Sequence, residues 1–179
     1  MAMTSSITGN ASLVKHLAIP KALLPISSLL AAGAVHCVMI VIATLALAML
    51  GFTPGLQIVL LLYFSFCLAC LTLSIGMLLA AANAAFRDVA HAVAPVLALW
   101  FWATPILWPV ERLPANLHWI ASANPLNYIV AGYRWALLGT RSISIDGNGT
   151  LCYWAITILL AACAWQGVRL FRRELADLV

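Results

Sequence analysis

The chain has 179 residues, of which 65% are hydrophobic and only 8% charged, with a net charge of +4 at neutral pH and a mean hydropathy of +1.06. Soluble domains hold roughly 25% charged residues, so this composition excludes a surface covered by water and makes lipid the solvent for much of the chain. The length accommodates one membrane domain and leaves no room for a separate soluble enzyme domain.

Residues 1–23 read as a cytoplasmic segment. The apolar run that follows Lys15, His16 and Lys21 is about twice the ~7–15 residues of a cleavable signal core, so it reads as a helix that stays in the membrane. No charged residue occurs between Ala22 and Phe86. That stretch exceeds the ~20 residues of one crossing, and Gly51-Phe52-Thr53-Pro54-Gly55 interrupts it with turn residues. The pattern predicts a helical hairpin over 24–50 and 56–82.

Arg87 and Asp88 close the hairpin, and a third apolar run predicts a helix over 89–108, kinked at Pro95 and ending near Pro105. Residues 109–149 mix Glu111, Arg112, Arg134, Arg141 and Asp146 with Trp, Tyr, Leu and Ile. Asn124-Pro125 can start a helix running to about Leu138, roughly 20 Å long and too short to cross. This segment reads as an outer re-entrant or interfacial region. Residues 150–168 predict the last crossing and 169–179 a charged cytoplasmic tail. The expected fold is therefore an all-α integral membrane protein with four transmembrane helices and a short re-entrant or interfacial helical segment. Lys15, Lys21, Arg87, Arg169, Arg172 and Arg173 fall on one side of that topology, and Arg112, Arg134 and Arg141 on the other. The positive-inside rule then puts both termini in the cytoplasm.

Catalytic signatures are absent from the sequence. It has no phosphate-cradling glycine loop followed by Lys-Ser/Thr, no His-Glu-x-x-His and no Gly-x-Ser-x-Gly. His16, His36, His91 and His118 lack partners at metal spacing. No basic cluster is interleaved with aromatics as nucleic-acid binding requires. His36, in an apolar helix, needs a polar partner, through interhelical hydrogen bonding or as part of an ion path. Cys67-Leu-Ala-Cys70 has redox spacing without the surroundings that activate a thiol, and the five cysteines read as buried and inert. Gly76, Ala80 and Ala84, spaced by four, allow a close packing partner.

Aromatic residues concentrate between Trp100 and Trp135. Trp100, Trp102, Trp108, Tyr128, Tyr133 and Trp135 suit either an interfacial belt or a surface on which the C–H faces of sugars stack. On a helix Tyr128, Gly132 and Trp135 share one face, with Asn127, Arg134 and Arg141 on another. Arg134 reads either as snorkelling to the interface or as facing a polar path. For Arg87-Asp88 a helix cap and lipid anchor compete with contact to a cytoplasmic partner.

The ordered strings Phe86-Arg87-Asp88-Val89, Thr104-Pro105-Ile106, Leu113-Pro114, Asn124-Pro125-Leu126 and Arg134 resemble the permease subunits of type-2 ABC exporters. The nearest resemblance is to the branch that exports lipid-linked polysaccharides such as O-antigen, capsule or teichoic acid. Asn10-Ala-Ser-Leu-Val-Lys15, Ile19-Pro20, Leu24-Pro25 and Phe171-Arg-Arg-Glu174 extend it over nearly the whole chain. The resemblance implies a homodimer in the bacterial cytoplasmic (inner) membrane, paired with a separate ABC ATPase subunit that binds ATP and Mg while this chain binds no cofactor and is no enzyme. It implies that Lys15, Lys21, Arg87 and Asp88 lie at the ATPase-coupling surface, and that the aromatics with Arg134 flank the path of a lipid-linked glycan. It further implies that the chain begins just before the third of the family's six crossings and is N-terminally truncated. Export of a drug or lipid, and a non-transporting scaffold or inactive fragment, are the rival readings.

Overall fold

A computed structural model describes residues 2–10, 23–52, 55–86, 88–108, 110–139 and 145–170. Among the described residues every regular element is helical. The helices are α1 (Leu23–Met49), α2 (Leu60–Ala85), α3 (Val89–Ala103), α4 (His118–Ala123), α5 (Pro125–Leu138) and α6 (Gly147–Leu170). Short 3-10 turns lie at Thr8–Asn10, Leu56–Val59, Val110–Arg112 and Ala115–Leu117. Three helical stretches, Leu23–Met49, Leu56–Ala85 and Gly147–Leu170, are long and apolar enough to cross a membrane. The chain is a multi-pass integral membrane protein.

The helix ends have local causes. α1 ends at a glycine in the left-handed region, Gly51 with φ 84°. The Gly51 N–H donates to Ala48 O and the Phe52 N–H to Leu47 O, which satisfies carbonyls that the helix leaves free. α5 ends the same way at Gly139, φ 73°, whose N–H donates to Trp135 O. α3 stops at Ala103, near Pro105 as expected and short of the full range 89–108. Thr104 precedes Pro105, a position from which the helical region is sterically disfavoured, and its hydroxyl turns back to Trp100 O at 2.7 Å. At about 22 Å, α3 alone is shorter than the hydrocarbon core, so among the described residues three helices have spanning length by themselves. α6 starts at Gly147, three residues earlier than the pattern indicated. Asp146 Oδ1 accepts from the Gly149 N–H at 2.6 Å, and this cap overrides the poor helix propensity of two glycines.

The chain forms two compact units. One comprises Met1–Ala34, Cys70–Leu99 and Ile158–Val179; the other comprises Val35–Ala69 and Trp100–Thr157. In the first, the small-residue stripe of α2 receives the N-terminal segment. Met3 covers Gly76, and Ile7 packs on Ala80 with Ala84 beside it. Arg169 lies 4.8 Å from the ring centre of Trp165, a cation over an aromatic face near the end of α6.

The second unit is built on aromatic packing. Phe64, 1% exposed, meets Tyr63 and Tyr128 edge-on, and Tyr128 stacks on Tyr153 with centroids 4.8 Å apart. α2 presents Leu61, Phe64 and Cys67, all buried and one turn apart. Against them α5 offers Gly132, where a side chain is impossible without rearrangement: an added Cβ would lie 2.2 Å from Phe64 Cε1. The cysteines form no disulfide; Cys67 is buried and Cys70 and Cys152 are partly so, but Cys37 and Cys163 are exposed on apolar helices rather than buried as expected.

The Gly132–Phe64 contact generates the first prediction. Gly132→Ala should destabilise the protein by at least ~1–3 kcal/mol, the cost of overpacking a filled core. Thermal unfolding in mild detergent would show a lowered Tm, and Phe64→Leu in the same chain should recover much of it. An unchanged Tm for Gly132→Ala would contradict the packing described.

Candidate functional site

Among the described residues, the short helix α5 with its cap gathers most of the side-chain hydrogen bonds that join separate segments of the second unit. It begins at Asn124-Pro125: proline suits the first helical position because its missing N–H would be unpaired there. Asn124 is extended (φ −80°, ψ 113°), and its Oδ1 accepts from the Leu126 N–H at 3.0 Å. The same oxygen accepts from the Trp100 indole N–H at 3.0 Å, while Asn124 Nδ2 donates to Thr104 Oγ1 at 2.9 Å. One amide thus caps α5 and fastens it to the end of α3. Asn127, one turn on and buried, donates to Ala121 O at 2.9 Å and ties α5 back to α4.

Tyr128 is 3% exposed. Its hydroxyl lies 3.1 Å from the Tyr63 hydroxyl on α2 and 3.1 Å from Thr150 Oγ1 on α6. The Trp154 indole N–H donates to Tyr63 Oη at 3.1 Å, and the Tyr153 hydroxyl donates to Cys67 O at 2.6 Å. Tyr133 bridges two further helices: its hydroxyl is 2.8 Å from His36 Nε2 on α1 and 2.9 Å from Ser65 Oγ on α2. Arg134 donates from Nη2 to Ile106 O at 2.5 Å. Tyr133 and Arg134 also line an apolar recess of about 250 Å³ with Leu47, Val130, Leu137 and Leu138. Among the described residues, no buried side-chain nitrogen or oxygen lacks a hydrogen-bond partner, and no cluster of His, Cys, Asp and Glu is arranged to hold a metal ion.

A second set of contacts lies in the first unit, where α2 turns into α3. Asn83, 3% exposed, accepts at Oδ1 from the Ala90 N–H at 3.0 Å and donates from Nδ2 to Thr8 Oγ1 at 3.2 Å. Asp88 is exposed, and its backbone carbonyl accepts from the N–H groups of His91 and Ala92.

Comparison with known proteins decides the family. The family model described as ABC-2 type transporter matches residues 1–138. This chain belongs to the ABC-2 type transporter family. The ABC-2 chain is also similar to two proteins of Klebsiella pneumoniae named O-antigen export system permease protein RfbA. One is 27% identical over 155 residues and the other 26% over 160, each match covering 86% of this chain and 56% of the relative. A Myxococcus xanthus protein of the same name is 30% identical over 93 residues, 51% of this chain and 36% of the relative. The ABC-2 chain therefore spans a little over half the length of the Klebsiella relatives.

The structure brings some of the residues singled out in the sequence together and separates others. Trp100, Tyr128, Tyr133 and Arg134 have polar atoms engaged inside the second unit, as set out above. Trp108 donates its indole N–H to Trp102 O at 3.3 Å, and Trp135 is partly buried. Trp102 is 65% exposed, with Phe101 edge-on to it. The face bearing Tyr128 and Gly132 packs on α2. Asn127 is not a second polar face but a buried tie to α4. Of the coupling candidates, Lys15, Lys21 and Arg87 lie outside the described residues, as does Arg141.

Asn83 and Ser65 escaped the sequence reading. A lone Asn at the end of a 26-residue apolar helix is a usable signal, because a polar side chain at that depth needs a partner. Nothing local identified the partner as Thr8.

Asn124 should be the most sensitive polar position of the ABC-2 chain. Asn124→Ala removes a cap and two side-chain bonds, and should cost about 2–4 kcal/mol from the combined loss of cap and buried partners. Trp100→Phe removes one bond and should cost about 1 kcal/mol. Denaturation of both variants in one detergent would compare them, and equal losses would contradict the triple role of Asn124.

Proposed function

We propose that this chain forms part of the membrane-spanning subunit of an ABC exporter that moves a lipid-linked polysaccharide across the bacterial inner membrane. ATP and Mg are bound by a separate ABC ATPase subunit, and this chain binds neither. The single observation that carries the reading is the match to proteins named O-antigen export permeases over 86% of the chain, within a family match over residues 1–138. The permease acts as a homodimer, and nucleotide binding by the ATPase favours one arrangement of that dimer over another.

The charge distribution supports an orientation with both termini in the cytoplasm. The sequence ranges of the first unit contain Lys15, Lys21, Arg87, Arg169, Arg172 and Arg173, and those of the second contain Arg112, Arg134 and Arg141. On the positive-inside rule the first set is cytoplasmic. In this reading α3 with Thr104–Trp108 completes a fourth crossing, and 109–149 is the outer re-entrant region. Lys15, Lys21, Arg87 and Asp88 meet the ATPase. Trp100, Trp102, Trp108, Tyr128, Tyr133, Trp135 and Arg134 flank the glycan path. Trp102 offers the exposed stacking face.

The chain, tagged at its C-terminus and purified from its native cell in mild detergent, should bring a nucleotide-binding subunit with it. Its absence would remove the exporter reading. Trp102→Ala should lower glycan export severalfold while leaving stability within about 0.5 kcal/mol, as expected for a largely exposed side chain. Unimpaired export by that variant would dismiss stacking at this position.

A further inference from the structure

Asn83 joins three parts of the chain that are distant in sequence. It lies within α2, near its C-terminal end. Its amide nitrogen reaches Thr8 in the N-terminal segment, and its oxygen takes the N–H of Ala90 in the first turn of α3. That N–H belongs to a helix start, where no carbonyl of the same helix is available to it. The Thr8 hydroxyl also donates to Ser5 O at 3.4 Å, so it can accept from Asn83 while holding its own turn. Around the amide the fit is apolar and close, with Ile7 against Ala80 and Ala84, and Met3 against Gly76. The Asn83 side chain is nearly fully buried while its partners Thr8 and Ala90 are partly so, and an amide left unpaired in such a place costs more than the bond itself contributes.

The two segments fastened by Asn83 are those that lead into the proposed coupling residues. The chain passes from Asn10 toward Lys15 and Lys21, and from Ala85 through Arg87 and Asp88 into α3. We infer that Asn83 is a positioning residue for energy coupling: through Thr8 and Ala90 it makes the N-terminal segment and the α2–α3 turn respond as one piece to the ATPase. The inference rests on the exporter reading and deepens it, since it assigns a role to a residue that itself touches neither nucleotide nor glycan. Loss of the amide should therefore separate ATP hydrolysis from export rather than abolish either assembly or hydrolysis.

The test uses the permease with its ATPase in proteoliposomes, measuring ATP hydrolysed and glycan exported, alongside hydrogen exchange of the same samples. Asn83→Leu keeps the volume and removes both bonds; Thr8→Val removes one; Thr8→Ser keeps the hydroxyl. In Asn83→Leu, peptides covering 2–10 and 86–92 should both exchange faster, by about fivefold for the loss of one hydrogen bond each. In Thr8→Val only 2–10 should do so. Export per ATP should fall by a similar factor in Asn83→Leu and Thr8→Val and stay at the wild-type value in Thr8→Ser, with hydrolysis and subunit yield retained in all. Unchanged exchange in either peptide of Asn83→Leu would overturn the bridge. Faster exchange with unchanged export per ATP would overturn the coupling role and leave a structural cap. A wild-type complex that hydrolyses ATP and exports nothing would remove the exporter reading and this inference with it, a result distinct from the other two.

Discussion

A polar group surrounded by hydrocarbon has no water to fall back on, and the second unit is organised by that constraint. α5 brings Asn124, Asn127, Tyr128, Tyr133 and Arg134 into a chain that is otherwise overwhelmingly apolar. Each of them has a partner on another segment: Trp100 and Thr104, Ala121, Tyr63 and Thr150, His36 and Ser65, and Ile106. Apolar packing alone does not discriminate well between rotational settings of one helix against another in lipid. Directional bonds to five different helices do, and the Tyr128–Tyr153 stack and the Gly132–Phe64 contact add close packing to them.

The two units solve the same problem with different means. In the second, tyrosine hydroxyls and an asparagine cap reach between helices, and the aromatic rings fill the space around them. In the first, a stripe of small residues on α2 lets an N-terminal segment approach, and Asn83 supplies the directional bonds that set its register. α1 contributes residues to both units, yet Pro25 is its one buried residue, and its valines, isoleucines and leucines are largely exposed. Such a surface is suited to lipid or to further membrane protein.

Much of the fold was legible in the sequence because helix ends have local signatures. Gly51 stops α1, Pro105 limits α3, Asn124-Pro125 starts α5, and long uncharged runs identify the crossings. The errors have local physical causes too. The stretch 104–108 is apolar enough to extend a helix, but Thr104 before proline leaves it; Asp146 starts α6 through glycines that argue against a helix. The candidate site was legible only as a list. Tyr128, Tyr133 and Trp100 were recognisable as residues of interest, and His36 as needing a partner. Which residues they meet depends on contacts 22 to 97 positions apart in the chain, and no periodicity encodes those. Asn83 and Thr8, 75 positions apart, are the same case in the first unit.

α5 is closed at both ends, by the amide of Asn124 at its start and by left-handed Gly139 at its finish. Its 14 residues make a rod of about 21 Å whose terminal turns have little freedom to fray or lengthen. Its side bonds to α1, α2, α3 and α6 are set by a single helical register, so rotation by even part of a turn strains them all together. The helix therefore has few intermediate positions: it is held in place, or it lets go of several neighbours at once.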